Sequence, residues 1–324
     1  MPLAQDGNIE FTLTVPIMPS SGRSTMSTQR PFRGGYRAPN GIFYKVTGNG
    51  EPLLLLHGLM VTGAMFDPLV VLLQNNFRMI IPDLRGHGQS GNLSGPYDVP
   101  SLTADLDGVL EHAGFENCAV LGYSHGGAVA QQLAHTHQAL VNKMMLTCTY
   151  AYNVAMPRER MEASVFLTLL TLFTPRTLAN LVVQPSKPKP AGEIGLNKTQ
   201  VDWLRALMAT NRAPPMRGAV RGMVTFDSRP WLGEIRVPTL VVGGTRDTAV
   251  PRYHFDQLVN GIPGARGLLV ERAGHPLIWT HTRELAEIVQ TQWQVPADSR
   301  LAAAAKVVAS AISARDIGVA SLRA

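Results

Sequence analysis

The residue types that could carry chemistry converge on Gly122-Tyr123-Ser124-His125-Gly126-Gly127. A serine hydroxyl is a weak nucleophile at neutral pH. It needs a base beside it, and the base needs a third group to orient it. A G-x-S-x-G spacing is informative when a strand ends at a sharp turn and runs on as a helix. Cys118-Ala119-Val120-Leu121 is an apolar run of buried-strand length, and Ala128, Val129, Leu133 and Ala134 then recur at helical spacing. Flanking glycines relieve the steric cost of so tight a turn. The turn lifts the Ser124 hydroxyl above the sheet and aims the His125 backbone N–H at the same space, where a helix start favours developing negative charge. The plain alternative is a small-residue turn selected only for close packing.

Other elements must position this turn. Ile42–Val46 and Pro52–Leu56 read as strands around the Gly48-Asn49-Gly50 turn, and Phe77–Pro82 as the next strand. Leu102, Leu106, Val109 and Leu110 mark an amphipathic helix over Ser101–His112, and Lys143–Thr149 reads as another strand. Strands alternating with helices predict a mostly parallel, doubly wound α/β sheet flanked by helices. Residues 151–229 break the alternation. They hold an apolar helix pattern over Val165–Phe173, a Pro-rich link at Gln184–Pro190, a helix pattern over Thr199–Met208, and Pro214-Pro215, which is expected to break the next helix. The sheet resumes at Val237–Gly244, followed by a helix over Tyr253–Val259, a last strand at Gly267–Val270 and a closing helix over Arg283–Trp293.

Composition narrows the classes. The 324 residues are 45% hydrophobic and 16% charged, with a net charge of +6. The basic residues are scattered rather than clustered, so no nucleic-acid partner is expected. Cys118 and Cys148 both lie in apolar strand-like runs and read as buried free thiols. No apolar run reaches membrane-spanning length. Residues 1–35 are rich in Ser, Thr, Pro and Gly and lack the continuous apolar core of a secretory signal, so the expected location is cytoplasmic. They read as a disordered extension, or as sequence upstream of a start at Met26. The Ala-rich tail, 296–324, reads as an appendage that packs on the domain, mediates homodimer formation or stays disordered.

Taken in order, these segments resemble the α/β-hydrolase fold family, in its serine esterase-like branch with a helical cap. The resemblance is carried by LLLLHG ending at His57-Gly58, the D-x-R-G-x-G-x-S loop from Asp83 to Ser90, the elbow at Gly122–Gly127, PTLVVGGTRD ending at Asp247, and Ala273-Gly274-His275. It covers roughly residues 41–293. It implies a hydrolase core over 36–150 and 230–295, with the cap, or lid, over 151–229.

The resemblance assigns Ser124 as nucleophile, Asp247 as the acid and His275 as the base. The residues themselves agree. Asp247 ends a buried strand, where an open α/β sheet binds ligands, and His275 lies in the loop after the next strand. Competing histidines fit less well: His125 points away along its helix, His254 and His281 lie on predicted helices, and His135 and His137 are expected to be solvated. His57 is expected to brace its loop, and Asp83 to pair locally with Arg85. By resemblance, the backbone N–H groups of Leu59 and His125 form an oxyanion hole; the absence of HGGG argues against the branch that carries it. Phe166, Leu169 and Phe173 on the lid, with Met60 and Leu277, are the substrate-pocket candidates. No pair of histidines has metal spacing with a supporting carboxylate, no H-E-x-x-H occurs and nothing matches a dinucleotide fingerprint, so neither a metal nor a cofactor is expected.

The expected function is hydrolysis of a carboxylic ester, lactone or thioester of an apolar small molecule. A C–C hydrolase or cofactor-free perhydrolase would keep the same triad, and a non-catalytic ligand-binding member of the fold is the third reading. Serine at position 124 argues against the aspartate-nucleophile branches.

Overall fold

The structure is a computed structural model that describes residues 11–13, 34–153, 156–185 and 195–293. Most of the 1–35 extension and the whole 296–324 tail lie outside the described residues. The chain divides between residues 286 and 287, and the described part of the second unit contains one π-helical turn, Ile288–Gln292.

The described residues of the first unit form one nine-stranded sheet. In chain order its strands are β1 (Phe11–Leu13), β2 (Tyr36–Arg37), β3 (Phe43–Thr47), β4 (Glu51–Leu56), β5 (Phe77–Pro82), β6 (Cys118–Tyr123), β7 (Val141–Thr147), β8 (Thr239–Gly244) and β9 (Arg266–Val270). Their spatial order is β1-β9-β8-β7-β6-β4-β5-β3-β2. All neighbours are parallel except β2 with β3 and β3 with β5. The short β1 lies within the stretch read as an unstructured extension and pairs with Leu268–Val270 of β9.

Parallel strands covered on both faces have no polar side to alternate with. Leu53–Leu56 of β4 are accordingly all fully buried, as are Leu121 of β6 and Met144, Met145 and Leu146 of β7. Burying one such side chain contributes about 1.5–3 kcal/mol. The helices α1 (Asp67–Leu73), α2 (Val99–Ala113) and α3 (His125–Thr136) follow β4, β5 and β6. From β4 the chain steps to β5 on one side and then returns to β6 on the other. That reversal is the topological switch point, where ligands bind at the carboxyl ends of such strands.

The segment read as the cap holds α4 (Pro157–Leu172), α5 (Pro175–Val182), α6 (Lys198–Met208) and α7 (Ala213–Thr225). The expected helix at Val165–Phe173 is the second half of α4. Pro214-Pro215 starts α7 rather than breaking it, because the first helical positions need no intrahelical N–H partner. Beyond β8, α8 (Arg252–Gly261) leads to β9, and α9 (Leu277–Thr280) follows His275. Among the described residues no helix is long and apolar enough to cross a membrane.

The two crossings between core and cap are pinned together. Ser228 donates its backbone N–H to the Ala151 carbonyl at 2.9 Å, and its Oγ to Gln131 Oε1 at 2.7 Å. Gln131, buried on α3, also donates Nε2 to the Tyr150 carbonyl at 2.9 Å. Helix α3 therefore carries the elbow at its start and fastens both hinges of the cap further along.

Candidate active site

Ser124 stands between β6 and α3 with φ 52° and ψ −120°, outside the conformations an L-residue prefers. Its neighbours make the turn possible. A Cβ on Gly122 would lie 2.5 Å from the Gly126 carbonyl oxygen, and one on Gly126 would lie 2.1 Å from that of Leu56. The strained peptide is held from both sides: Ser124 donates its N–H to the Thr147 carbonyl at 2.9 Å and its own carbonyl accepts Thr149 Oγ1 at 2.6 Å.

His275 Nε2 lies 3.2 Å from Ser124 Oγ, and its Nδ1 lies 2.9 Å from Asp247 Oδ2. The other Asp247 oxygen accepts the backbone N–H groups of Ala249 at 2.9 Å and Val250 at 2.8 Å. With the carboxylate accepting from Nδ1–H, Nε2 is left as an acceptor facing the serine hydroxyl. The loop bearing His275 is tied down by Tyr123, whose hydroxyl donates to the His275 carbonyl at 2.8 Å. The structure thus brings together Ser124, Asp247 and His275 from the carboxyl ends of β6, β8 and β9.

The other histidines do different work. His57 is fully buried, donates from Nδ1 to the Gly58 carbonyl at 2.8 Å and accepts the Leu84 N–H on Nε2 at 2.9 Å. It braces its loop as expected. Burial holds it neutral, pushing its pKa down to about 4. His87 and His125 are also fully buried, and burial drives each to about 3. His125 Nδ1 meets the Tyr150 hydroxyl at 3.0 Å. His254 on α8 pairs with Glu159 of the cap helix α4 at 3.1 Å, beside a short contact from the Tyr253 hydroxyl to the same carboxylate. His281 follows α9 and lies 2.9 Å from Thr280 Oγ1. His135 is less solvated than expected, stacking on Trp231 with ring centroids 4.4 Å apart, while His137 lies 3.4 Å from Asp107.

One local pairing is corrected. Arg85 pairs with Asp105 of α2, at 2.7 and 2.5 Å, and not with Asp83. Asp83 is committed to backbone donors, accepting Gly63 N–H and Gln89 N–H, each at 2.8 Å. Burial raises its pKa while these bonds oppose the shift.

The loop after β4 passes directly over the nucleophile. A Cβ on Gly58 would lie 3.3 Å from Ser124 Cβ. Leu59 comes next and is partly buried; His125 opens α3, where backbone N–H groups have no intrahelical partner. Met60 adopts a left-handed φ of 63° and is held by Asn211, whose Nδ2 donates to the Met60 carbonyl at 2.6 Å. Asn211 Oδ1 accepts the Gly88 N–H at 3.0 Å, so one cap residue clamps two core loops. Nothing in the sequence around Asn211 marks it, because its partners arrive from distant segments.

Of the pocket candidates, Met60 and Leu277 are buried, Phe166 and Leu169 are partly buried, and Phe173, the C-cap of α4, is 39% exposed. Much of the rest of α4's apolar surface faces outward: Met161, Val165 and Leu172 are all exposed.

A family model described as alpha/beta hydrolase fold matches residues 51–282, and the chain belongs to that family. An AB hydrolase superfamily protein of Bacillus subtilis is 26% identical over 261 residues, covering 76% of this chain and 93% of that protein. A pimeloyl-[acyl-carrier protein] methyl ester esterase of Aeromonas hydrophila is 27% identical over 260 residues, covering 75% and 95%. The enol-lactonase of Burkholderia xenovorans superposes with a TM-score of 0.70 at 23% identity, covering 79% of this chain and 98% of the other, a likeness of fold.

Proposed function

We propose that the chain is a serine hydrolase that cleaves a carboxylic ester, or a lactone or thioester, of an apolar substrate. The observation that carries this reading is the continuous path from Ser124 Oγ to His275 Nε2, 3.2 Å, and from His275 Nδ1 to Asp247 Oδ2, 2.9 Å. Ser124 attacks the acyl carbonyl while His275 takes its proton. His275 then gives that proton to the leaving alkoxide, and Asp247 stabilises the imidazolium formed in between. Water deacylates Ser124 by the same route in reverse. The Leu59 and His125 N–H groups receive the tetrahedral oxyanion, each contributing about 3 kcal/mol of barrier lowering. Names carried by relatives, a methyl ester esterase among them, support an acyl substrate.

The partly buried Phe166 and Leu169, with Met60 and Leu277, supply the apolar wall that receives the acyl or aryl group. A fluorophosphonate should label Ser124 and abolish hydrolysis of p-nitrophenyl esters, and Ser124→Ala should lose the burst of chromophore. Labelling at another serine with Ser124 untouched would sink the assignment. A panel of graded acyl esters, lactones and a ring-cleavage dienoate separates ester hydrolysis from C–C bond cleavage with the same triad.

A further inference from the structure

Cys148 follows β7 directly, at the carboxyl edge of the sheet where Ser124, Asp247 and His275 meet. Its backbone has a left-handed φ of 47°, a conformation that costs a cysteine energy. The result is a particular placement of sulfur. Cys148 is buried, and its Sγ, a carboxylate oxygen of Asp247 and a ring nitrogen of His275 all lie within 4.8 Å of one another. Among the described residues no other three His, Cys, Asp or Glu donors gather this closely.

Thiolate, imidazole and carboxylate together are the donor set of a borderline-soft divalent cation such as zinc; hard cations take oxygen donors instead. We propose that Cys148, Asp247 and His275 form a binding site for a thiophilic divalent cation, and that its occupation silences Ser124. The first half of this inference stands on the ligand geometry alone, and the second rests on the triad read above.

Around a tetrahedral zinc with bonds of about 2.0–2.3 Å, donor atoms lie roughly 3.3–3.8 Å apart, so donors up to 4.8 Å apart close by on the order of 1 Å. Asp247 Oδ2 and His275 Nδ1, 2.9 Å apart as a hydrogen bond, part by about 0.5 Å. A small pocket lined by Cys148, Gly244, Asp247, Val250, Arg252 and Phe255 adjoins the cluster. The Arg252 charge there is paired with Asp256 at 2.7 Å.

On binding, the Cys148 S–H bond breaks, its proton leaves to water and a metal–sulfur bond forms. His275 binds through Nδ1, so its ring proton moves to Nε2. Asp247 exchanges the Nδ1–H bond for the cation. One proton is released, no electrons change hands, and a fourth position stays open to water. Nε2–H then faces Ser124 Oγ as a donor and cannot accept the serine proton.

Chelator-treated protein is titrated with Cd²⁺, following the ultraviolet cadmium–thiolate charge-transfer band, and p-nitrophenyl ester hydrolysis is measured in parallel with Zn²⁺. We expect a saturable band at one Cd²⁺ per chain, and Zn²⁺ inhibition that a chelator reverses. Cys148→Ser should lose the band. It should also raise the Zn²⁺ concentration for half-inhibition, relative to its own metal-free rate, by at least the roughly 10–100-fold that losing even an outer-shell partner costs. Ser124→Ala should bind Cd²⁺ as the parent does, which reads the site independently of hydrolysis. If no ester is turned over, the triad reading falls while the cadmium band still judges the site. No thiolate band in the parent overturns the proposal, as does an undiminished band in Cys148→Ser, which would place the metal on Cys118. Should Cys148→Ser fail to fold, His275→Ala decides: it should weaken Cd²⁺ binding at least tenfold, and unchanged binding overturns the site.

Discussion

The sheet edge and the cap solve opposite problems. At the edge, Ser124, Asp247 and His275 sit partly buried in short loops held by hydrogen bonds to and from the backbone. Glycines there are required because carbonyl oxygens already occupy the space a side chain would take. The cap presents Met161, Val165, Leu172, Leu181 and Val182 to the outside and is tied to the core through separate polar contacts. Asn211 clamps the loops after β4 and β5, Gln200 donates to the Trp279 carbonyl at 2.8 Å, and Glu159 meets Tyr253 and His254 of α8. The candidate triad is thus held by a part with little freedom to shift, and the outer face of α4 and α5 by a part that can change at its surface without disturbing it.

The comparison is tested most severely at Asp247. Asp247→Asn keeps the shape but puts a donor where His275 needs an acceptor. We expect turnover to fall on the order of 10²–10⁴-fold, by analogy with the Asp-to-Asn change in the worked serine protease triad, with the fold intact by circular dichroism. A folded variant within about threefold of the parent would break the distinction between edge and cap.

Acid stability tests the buried edge next. His57, His87 and His125 are held neutral by burial, at about 4, 3 and 3, below the ordinary 6.5. Depressed values mean that the unfolded chain takes up protons first as the pH falls. Their stabilisation is complete above pH 6.5 and is lost on acidification toward the folded values. Each histidine costs about 1.4 kcal/mol per pH unit in that window, and Asp83, raised by burial, works weakly in the opposite direction. Urea midpoints at pH 7 and pH 5 should therefore differ strongly, and His87→Gln should narrow the gap. Equal midpoints for the parent would refute the neutral cluster.

Asn211→Ala sharpens the boundary between the two regions. It leaves the Met60 carbonyl and Gly88 N–H without their partner, at about 1–3 kcal/mol. Hydrolysis should slow as the Leu59 loop loosens, read as a fall in kcat larger than any change in KM. An unchanged kcat would make Asn211 only a brace.

The smallest effects belong to the cap surface. Met161→Ser and Leu172→Ser should stay within about 0.5 kcal/mol of the parent in urea. Phe166→Ala and Leu169→Ala should instead move the acyl chain-length preference. Lost stability with an unchanged preference would make α4 a packing helix.

Much of the core was legible in sequence for a local reason. A strand–turn–helix at Cys118–Leu133 needs neighbouring residues only, and so does the buried run Leu53–Leu56. The candidate triad could be named because parallel strands deliver their ends to one edge, so that position after a strand nearly fixes position in space. The Arg85 pairing was misread for the opposite reason. Asp83 is the nearer acid in sequence, but its oxygens serve two backbone amides, leaving Arg85 to find Asp105 on α2. Pro214-Pro215 was misread because a proline pair carries the same sequence signal whether it ends a helix or begins one.

Local periodicity and steric demand made β3 to β9 and the elbow around Ser124 readable along the chain, whereas β1, which exists through its pairing with the distant β9, was not. Tertiary structure alone decided which distant groups meet. It sent Asn211 to the Met60 and Gly88 loops, Gln131 to both hinges of the cap, and Cys148 to the acid and base. Such meetings depend on where separate strands end and how the cap is pinned, and side-chain spacing along the chain carries no record of either.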